Sequence, residues 1–306
     1  MSKVWKPGLL LVLALMFVAL PVWAERRTNH VFIISFDGGK PAVMKESKMP
    51  ELMSLLKKGA YTWEAQTVFP SITLTSHTSM LTGLVPDHHH VLWNDWKPDQ
   101  GLIKSPTIFA IAKEHKLSTA MFVSKPKFIH LFVPGTVDMF ALPSYKSKIV
   151  AESVADYIKE KKPNLCFIHF TDSDSAGHAF GWGSDAQKVS FHDEDDSLKI
   201  VMKAIEDAGL EHDSVVIMTA DHGGHDHTHG SRSPEDMNIP WIAWGDTVQH
   251  DFQITAPVST CDTAATALWL LDVPVPSSFD GKPVTSAFSD TTVTQSAASE
   301  SVPTHH

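Results

Sequence analysis

Apolar residues gather in five unbroken runs along this chain, at 31–36, 118–123, 165–170, 215–219 and 240–244. Each is short and bounded by polar or glycine-containing segments. That is the pattern of strands buried on both faces, as in a parallel sheet. Between the runs, stretches of mixed polarity at about 50–58, 74–82, 105–116, 147–161 and 188–209 predict helices. A late helix over 262–271 is expected to be capped by Asp262 or Thr260 and stopped by Pro274. Strand and helix alternate without an internal repeat. This predicts a single α/β domain with a mainly parallel central sheet and helices on both faces.

The two ends depart from this pattern. Lys3 and Lys6 precede an apolar stretch from Leu9 to Leu20, and Val22-Trp-Ala24 supplies a small residue at the expected cleavage point. The stretch is short for a membrane span, so residues 1–24 read as a secretory signal peptide, with an uncleaved anchor as the alternative. No later segment is long and apolar enough to span a bilayer, so an exported protein, periplasmic or secreted, is expected. The folded domain is assigned to 25–285, and the Ser/Thr/Ala/Val-rich stretch 286–306 to a disordered tail.

The formal net charge is −10 over 306 residues, and losing Lys3 and Lys6 with the signal makes it −12. Such a balance gives no electrostatic reason to bind a nucleic-acid polymer. Small anionic substrates remain compatible where metal ions invert the local field. Cys166 lies inside a predicted strand and far along the chain from Cys261. Neither reads as a metal ligand, and a bridge between them stays open.

The candidate chemistry collects where the apolar runs stop. Val31-Phe-Ile-Ile-Ser-Phe36 ends in Asp37-Gly38-Gly39, Leu165-Cys-Phe-Ile-His-Phe170 leads to Asp174-Ser-Ala-Gly-His178, and Val215-Val-Ile-Met-Thr219 leads to Asp221-His222-Gly-Gly-His-Asp-His-Thr-His229. Carboxylate and imidazole are the usual ligands of divalent zinc. The carboxyl ends of strands are where open α/β sheets bind ligands. The Asp-x-x-x-His spacing favours Asp174 over Asp172, because residues four apart can converge on one metal. Asp193-Glu-Asp-Asp196 reads as a solvated helix face, and His77 and His169 as hydrogen-bonded supporting histidines. Trp93, Trp96 and Trp182 either line a cleft or simply pack.

A nucleophile is expected at Phe69-Pro-Ser-Ile-Thr73-Leu-Thr-Ser-His77, which enters a predicted helix ending at Gly83. A hydroxyl there can be a plain cap. A helix N-terminus nevertheless favours negative charge, and a divalent metal lowers the pKa of a bound hydroxyl, so a Thr alkoxide could attack phosphorus.

Taken in order, Asp37, Pro70-Ser-Ile-Thr73, Thr82-Gly83-Leu-Val-Pro-Asp-His-His89, Asn94, Asp174-x-x-x-His178, Asp221-His222-Gly223, His229-Gly230 and Asp280-Gly281 resemble the alkaline phosphatase superfamily, and within it the type I phosphodiesterase/nucleotide pyrophosphatase branch. The resemblance covers about 30–285 and implies that this is the catalytic domain. It further implies two divalent metal ions, zinc by preference. One would be held by Asp37, Thr73, Asp221 and His222, and the other by Asp174, His178 and His229. Of the loop's three candidates, His229 follows the family pattern, and His225 and His227 are the alternatives. Asn94 matches the asparagine that donates to a phosphoryl oxygen. The implied reaction is in-line attack by Thr73, a phospho-threonine intermediate and its hydrolysis. The implied substrate is a small phosphorylated molecule, a phosphodiester or nucleotide pyrophosphate.

The chain departs from the branch after Thr73, where Leu74-Thr75-Ser76-His77 replaces the usual Phe-Pro-Asn-His and makes Thr75 a secondary nucleophile candidate. His90 stands where a glycine is common, and the insertions of the large animal enzymes are missing, which puts nucleotide specificity in question. A phosphomonoesterase is the nearest rival reading, and Arg232 or Lys125 could supply the extra positive charge a monoester favours. A sulfatase lacks support, because the nucleophile segment has no Cys/Ser-x-Pro-x-Arg pattern. A phosphoethanolamine transferase lacks it too, because no membrane spans follow the signal. A non-catalytic zinc-binding module is the remote alternative.

Overall fold

The first apolar run serves two cores at once. Val31 and Ile33 face one buried cluster, while Phe32, Ile34 and Phe36 face another on the opposite side of the sheet. This alternation is what a strand buried on both faces requires. In the computed structural model, which describes residues 27–289 together with Met1 and Ser2, the chain begins with β1 (His30–Phe36), α1 (Pro41–Glu46), α2 (Pro50–Lys57), β2 (Gly59–Gln66), α3 (Thr73–Thr82), α4 (Pro86–His89), α5 (Ile108–Glu114) and β3 (Thr119–Phe122). A short 3₁₀ turn at Pro126–Leu131 precedes β4 (Met139–Ala141), α6 (Ser147–Lys161), β5 (Leu165–Phe170), α7 (Asp172–Phe180) and α8 (Asp185–Asp207). The remainder is β6 (Ser214–Ala220), α9 (Pro234–Met237), β7 (Asn238–Trp244), β8 (Phe252–Gln253) and α10 (Asp262–Leu270).

The strands form one sheet in the order β4-β3-β5-β1-β6-β7-β2-β8. β1 runs parallel to both β5 and β6, with Phe36 opposite Phe170 on one side and Ala220 on the other. The three tips therefore end level with one another. β7 is antiparallel to β6 and to β2, so the mainly parallel sheet expected from the sequence carries a mixed edge. α3, α5 and α10 cover one face, and α1, α2, α6 and α8 the other. This is an α/β domain with helices on both faces of its sheet.

The five apolar runs are all strands, with bounds within two residues of those expected. α3 is buried along its whole length although its sequence is largely polar. Its hydroxyls are satisfied locally: Thr78 donates to Leu74 O, Thr82 to Thr78 O and Thr75 to Val91 O. Such bonds remove the desolvation cost that buried hydroxyls would otherwise carry.

Three expectations are corrected. Glu194 and Asp195 are buried rather than solvated. Asp195 accepts the Glu51 and Leu52 amides at the start of α2, and Glu194 accepts the Ser173 amide at the start of α7, so both serve helix N-termini. Cys261, not Asp262 or Thr260, is the cap residue of α10, and no side chain caps it. Residues 286–289, assigned to the tail, pack onto the domain: Phe288 is buried, its ring lies 5.2 Å from Trp269, and Ser289 N–H donates to Thr247 O. The rest of that tail, 290–306, and the signal assigned to 1–24, apart from Met1 and Ser2, lie outside the described residues. Among the described residues, Cys166 and Cys261 are free and buried, and no helix is long and apolar enough to cross a membrane.

Candidate active site

Level strand tips bring three carboxylates together. Asp37 follows β1 directly and its amide donates to Phe170 O of β5. Asp221 follows β6, and Asp174 sits in the first turn of α7. Each carboxylate has one oxygen occupied and one orphaned. Asp221 Oδ1 accepts the Gly38 and His222 amides at 3.1 and 3.0 Å. Asp37 Oδ2 lies 2.9 Å from His169 Nε2 and 2.6 Å from Lys125 Nζ, and Asp174 Oδ2 accepts Lys125 at 2.6 Å. Asp37 Oδ1, Asp174 Oδ1 and Asp221 Oδ2 are buried and, among the described residues, have no hydrogen-bond partner.

The histidines complete this pattern. Nδ1 of His222 meets Gly223 O at 2.8 Å, Nδ1 of His229 meets Ser71 O at 2.9 Å, and Nδ1 of His178 meets His227 O at 2.9 Å. A carbonyl only accepts, so each Nδ1 donates, and each neutral ring keeps its Nε2 lone pair. Those lone pairs point at carboxylates. His222 Nε2 lies 3.4 Å from Asp37 Oδ1 and 3.2 Å from Asp221 Oδ2. Asp174 Oδ1 lies 3.4 Å from His178 Nε2 and 3.8 Å from His229 Nε2. Acceptor facing acceptor is repulsive unless a cation or a proton stands between them, and for His178 the Asp174 contact raises the imidazole above its ordinary value. Two groups offer ligand atoms within 4.8 Å of one another: Asp37, Asp221 and His222, and Asp174, His222 and His229. Orphaned oxygens, aimed lone pairs and carbonyl-anchored imidazoles together fit divalent metal. His178 falls outside both groups but contacts Asp174, and His222 contributes to both.

The electrostatics agree. Burial and the adjacent Asp37 charge push the Asp221 carboxyl well above its ordinary value. Burial also raises Asp37, but Lys125 and His169 more than offset it, so its carboxyl is held well below that value. Burial and the neighbouring His229 bring His222 down to about 3, which keeps it neutral and able to ligate.

Thr73 is the first residue of α3, and its Oγ1 lies 3.5 Å from His222 Nε2. The alternative, Thr75, donates to Val91 O. Asn94 Oδ1 accepts the Leu74 amide at 2.9 Å, which fixes the amide plane beside Thr73 and leaves Nδ2 for another acceptor. His77 supports the same turn, with Nδ1 donating to Thr73 O and Nε2 meeting Ser35 Oγ.

The other candidates make contacts of their own, and the Trp182 ring lies 5.1 Å from His178 and 5.8 Å from His229. Asp172 accepts the Ser147 amide at the start of α6. His225 pairs with Asp236, and His227 Nδ1 contacts His178 O. Arg232 stacks on Phe69 at 3.9 Å. Trp93 and Trp96 pack against His130, while Trp182 donates to Gly38 O. The bridging position of Lys125 was not evident in the sequence. Its signal is its location just past a predicted strand end, level with the other tips.

The double glycine after His222 is a packing requirement. Gly223 and Gly224 donate to Asp236 O and Glu235 O, and a Cβ on Gly223 would overlap the Glu235 carbonyl. Gly223→Ala is therefore expected to cost about 1–3 kcal/mol of stability, read as a lowered Tm in thermal unfolding.

The type I phosphodiesterase / nucleotide pyrophosphatase family model matches residues 31–238. Human ectonucleotide pyrophosphatase/phosphodiesterase family member 1 is 22% identical over 223 residues, covering 64% of this chain and 24% of that protein. Human family member 5 is 24% identical over 217 residues, covering 64% of this chain and 45% of that protein. The chain thus spans about a quarter to a half of the length of these relatives. Among solved structures, murine ectonucleotide pyrophosphatase/phosphodiesterase 5, as an inactive Thr-to-Ala variant in complex with AMP, superposes with a TM-score of 0.74 at 15% identity, covering 85% of this chain and all (100%) of that one. With a match across more than half its length, the chain belongs to the type I phosphodiesterase / nucleotide pyrophosphatase family.

Proposed function

We propose that this protein is an exported, two-zinc hydrolase of phosphoric esters that works through a phospho-threonine at Thr73, with phosphodiesters or nucleotide pyrophosphates as substrates. The observation that carries the reading is the set of three buried carboxylate oxygens that find no hydrogen-bond partner among the described residues, faced by imidazole lone pairs, beside the Thr73 hydroxyl. Asp37, Asp221, His222 and Thr73 would hold one ion, and Asp174, His178 and His229 the other. Bound there, the ions would lower the pKa of the hydroxyl and offset the charge of the phosphate. Thr73 Oγ1 gives its proton to water and bonds to phosphorus as the bond to the leaving oxygen breaks, and that oxygen takes the proton back from water. A second water next attacks phosphorus, the bond to Oγ1 breaks, and Oγ1 takes up the proton that the attacking water gives up. Asn94, held by the Leu74 amide, donates from Nδ2 to a phosphoryl oxygen. The inactive Thr-to-Ala variant of the murine relative, in complex with AMP, supports both the nucleophile and a nucleotide substrate. Export rests on Lys3, Lys6 and the apolar stretch Leu9–Leu20.

A phosphomonoesterase on the same site is the second reading, favoured by the Lys125 ammonium beside two of the carboxylates. The deciding experiment compares kcat/KM of the metal-loaded protein on bis-p-nitrophenyl phosphate, p-nitrophenyl phosphate and a nucleotide p-nitrophenyl ester. Absence of turnover on all three would refute the hydrolase reading.

Asn94→Ala is expected to lower kcat by about 10²–10³-fold, the usual effect of losing a donor to developing oxyanion charge. Elemental analysis should still find two zinc ions per chain. Loss of zinc would instead make Asn94 structural.

A further inference from the structure

Ser173, the residue before Asp174, is fully buried, and its hydroxyl, amide and carbonyl are all bonded. The hydroxyl donates to Asp37 O at 2.7 Å, the amide donates to Glu194 Oε1 at 3.2 Å, and the carbonyl accepts from Gln187 Nε2 at 3.2 Å. Glu194 and Gln187 both stand on α8. One serine thus ties the tip of β1 to the start of α7, and α8 holds the serine. Among the described residues, α7 has no side-chain cap of its own. The amides at its start go to neighbouring helices instead: Thr171 and Asp172 donate to Ser147 Oγ at 3.1 and 3.4 Å, and Ser173 donates to Glu194. Ser147 Oγ in turn donates to Glu194 Oε1 at 3.3 Å, so its one donor and both its acceptor sites are used. Glu194 is a buried carboxyl that no step of the proposed reaction needs. Burial, then the Asp172 charge, push it up to about 8, so the group is uncharged at neutral pH. Oε1 takes both donors, which leaves the proton to Oε2.

We propose that Ser173 is a strut that sets the spacing of the two metal ions, and that Glu194 is the positioning residue that holds it. Asp37 and Asp174 would ligate different ions, and the Ser173 hydroxyl fixes the segment of one against the segment of the other. The two ends depend on it unequally. Asp37 keeps its amide bond to Phe170 O and its carboxylate contacts with His169 and Lys125. Asp174 lies in the first turn of α7, whose start is held by Glu194 and Ser147. Loosening the strut therefore falls on the ion of Asp174, His178 and His229. The proposal rests on the two-metal reading, and its test separates the two.

The test is calorimetric titration of the metal-free protein with zinc, in the presence of a competing chelator, for wild type, Ser173→Ala, Glu194→Ala and Glu194→Gln. Wild-type protein is expected to take up two ions, and His178→Ala identifies which binding step belongs to the ion of Asp174. Ser173→Ala and Glu194→Ala should weaken that step by about 10- to 100-fold, the usual effect of losing a group that orients a metal ligand, and leave the other step unchanged. Glu194→Gln keeps an acceptor for the Ser173 amide and adds no charge, so it should bind both ions as the wild type does. Equal weakening of both steps is what a merely structural defect would give, and it would overturn the strut. Unchanged affinities in Ser173→Ala, or Glu194→Gln as weak as Glu194→Ala, would overturn it as well. Should Glu194→Ala fail to fold, Ser173→Ala, which removes one oxygen, decides alone. Wild-type protein that takes up fewer than two ions would overturn the two-metal reading and the strut with it. Two ions in the wild type and an indifferent Ser173→Ala would overturn only the strut.

Discussion

Thr73→Ala is expected to lower turnover by roughly 10⁴–10⁶-fold, the scale seen when a covalent nucleophile is deleted. The hydroxyl begins α3 and lies 3.5 Å from His222 Nε2, at the edge of the Asp37, Asp221 and His222 group. Removing one oxygen leaves those three side chains intact, so metal content should be unchanged and the loss should fall on chemistry. Thr73→Ser keeps the oxygen and should retain measurable activity. Thr75→Ala should be far milder, because that hydroxyl is committed to Val91 O. If instead Thr73→Ala is active and Thr75→Ala is dead, the nucleophile is two residues further along the chain.

Chelation is the second large effect. Without metal, the carboxylates of Asp37, Asp174 and Asp221 crowd one buried site, and the Lys125 ammonium contacts Asp37 and Asp174. Metal removal should abolish turnover, and added zinc should restore it. Stability should fall too, because ions that bind only the folded state stabilise it by mass action. At free zinc about 1,000-fold above Kd the contribution is ~4 kcal/mol, or about 8–16 °C in Tm at the usual 2–4 °C per kcal/mol. Chelated protein with full turnover would contradict metal dependence.

What could be read in the sequence followed burial. Strands such as β1 (His30–Phe36) and β6 (Ser214–Ala220) are buried on both faces and spell themselves largely as apolar runs, so their tips, and with them Asp37 and Asp221, were visible in advance. β2 was not, because it alternates buried and partly exposed positions through Tyr61, Trp63 and Glu64 and follows two lysines, Lys57 and Lys58. α7 was missed for a related reason: Asp-Ser-Asp-Ser-Ala-Gly-His has little apolar periodicity, and the helix is fixed by contacts such as Glu194 with the Ser173 amide. The spacing of Asp174 and His178 was the one trace of it. Lys125 and the Asp37–His169 contact depend on which strands become neighbours, and no local pattern encodes that.

The most direct test of the central claim is to trap the intermediate. Metal-loaded protein is mixed with bis-p-nitrophenyl phosphate and with p-nitrophenyl phosphate, quenched in acid during turnover, digested and examined by mass spectrometry. A phosphorylated peptide with the modification on Thr73, absent from Thr73→Ala, is the expected result. Modification on Thr75 or another residue, or rapid turnover without any phosphorylated peptide, would contradict it.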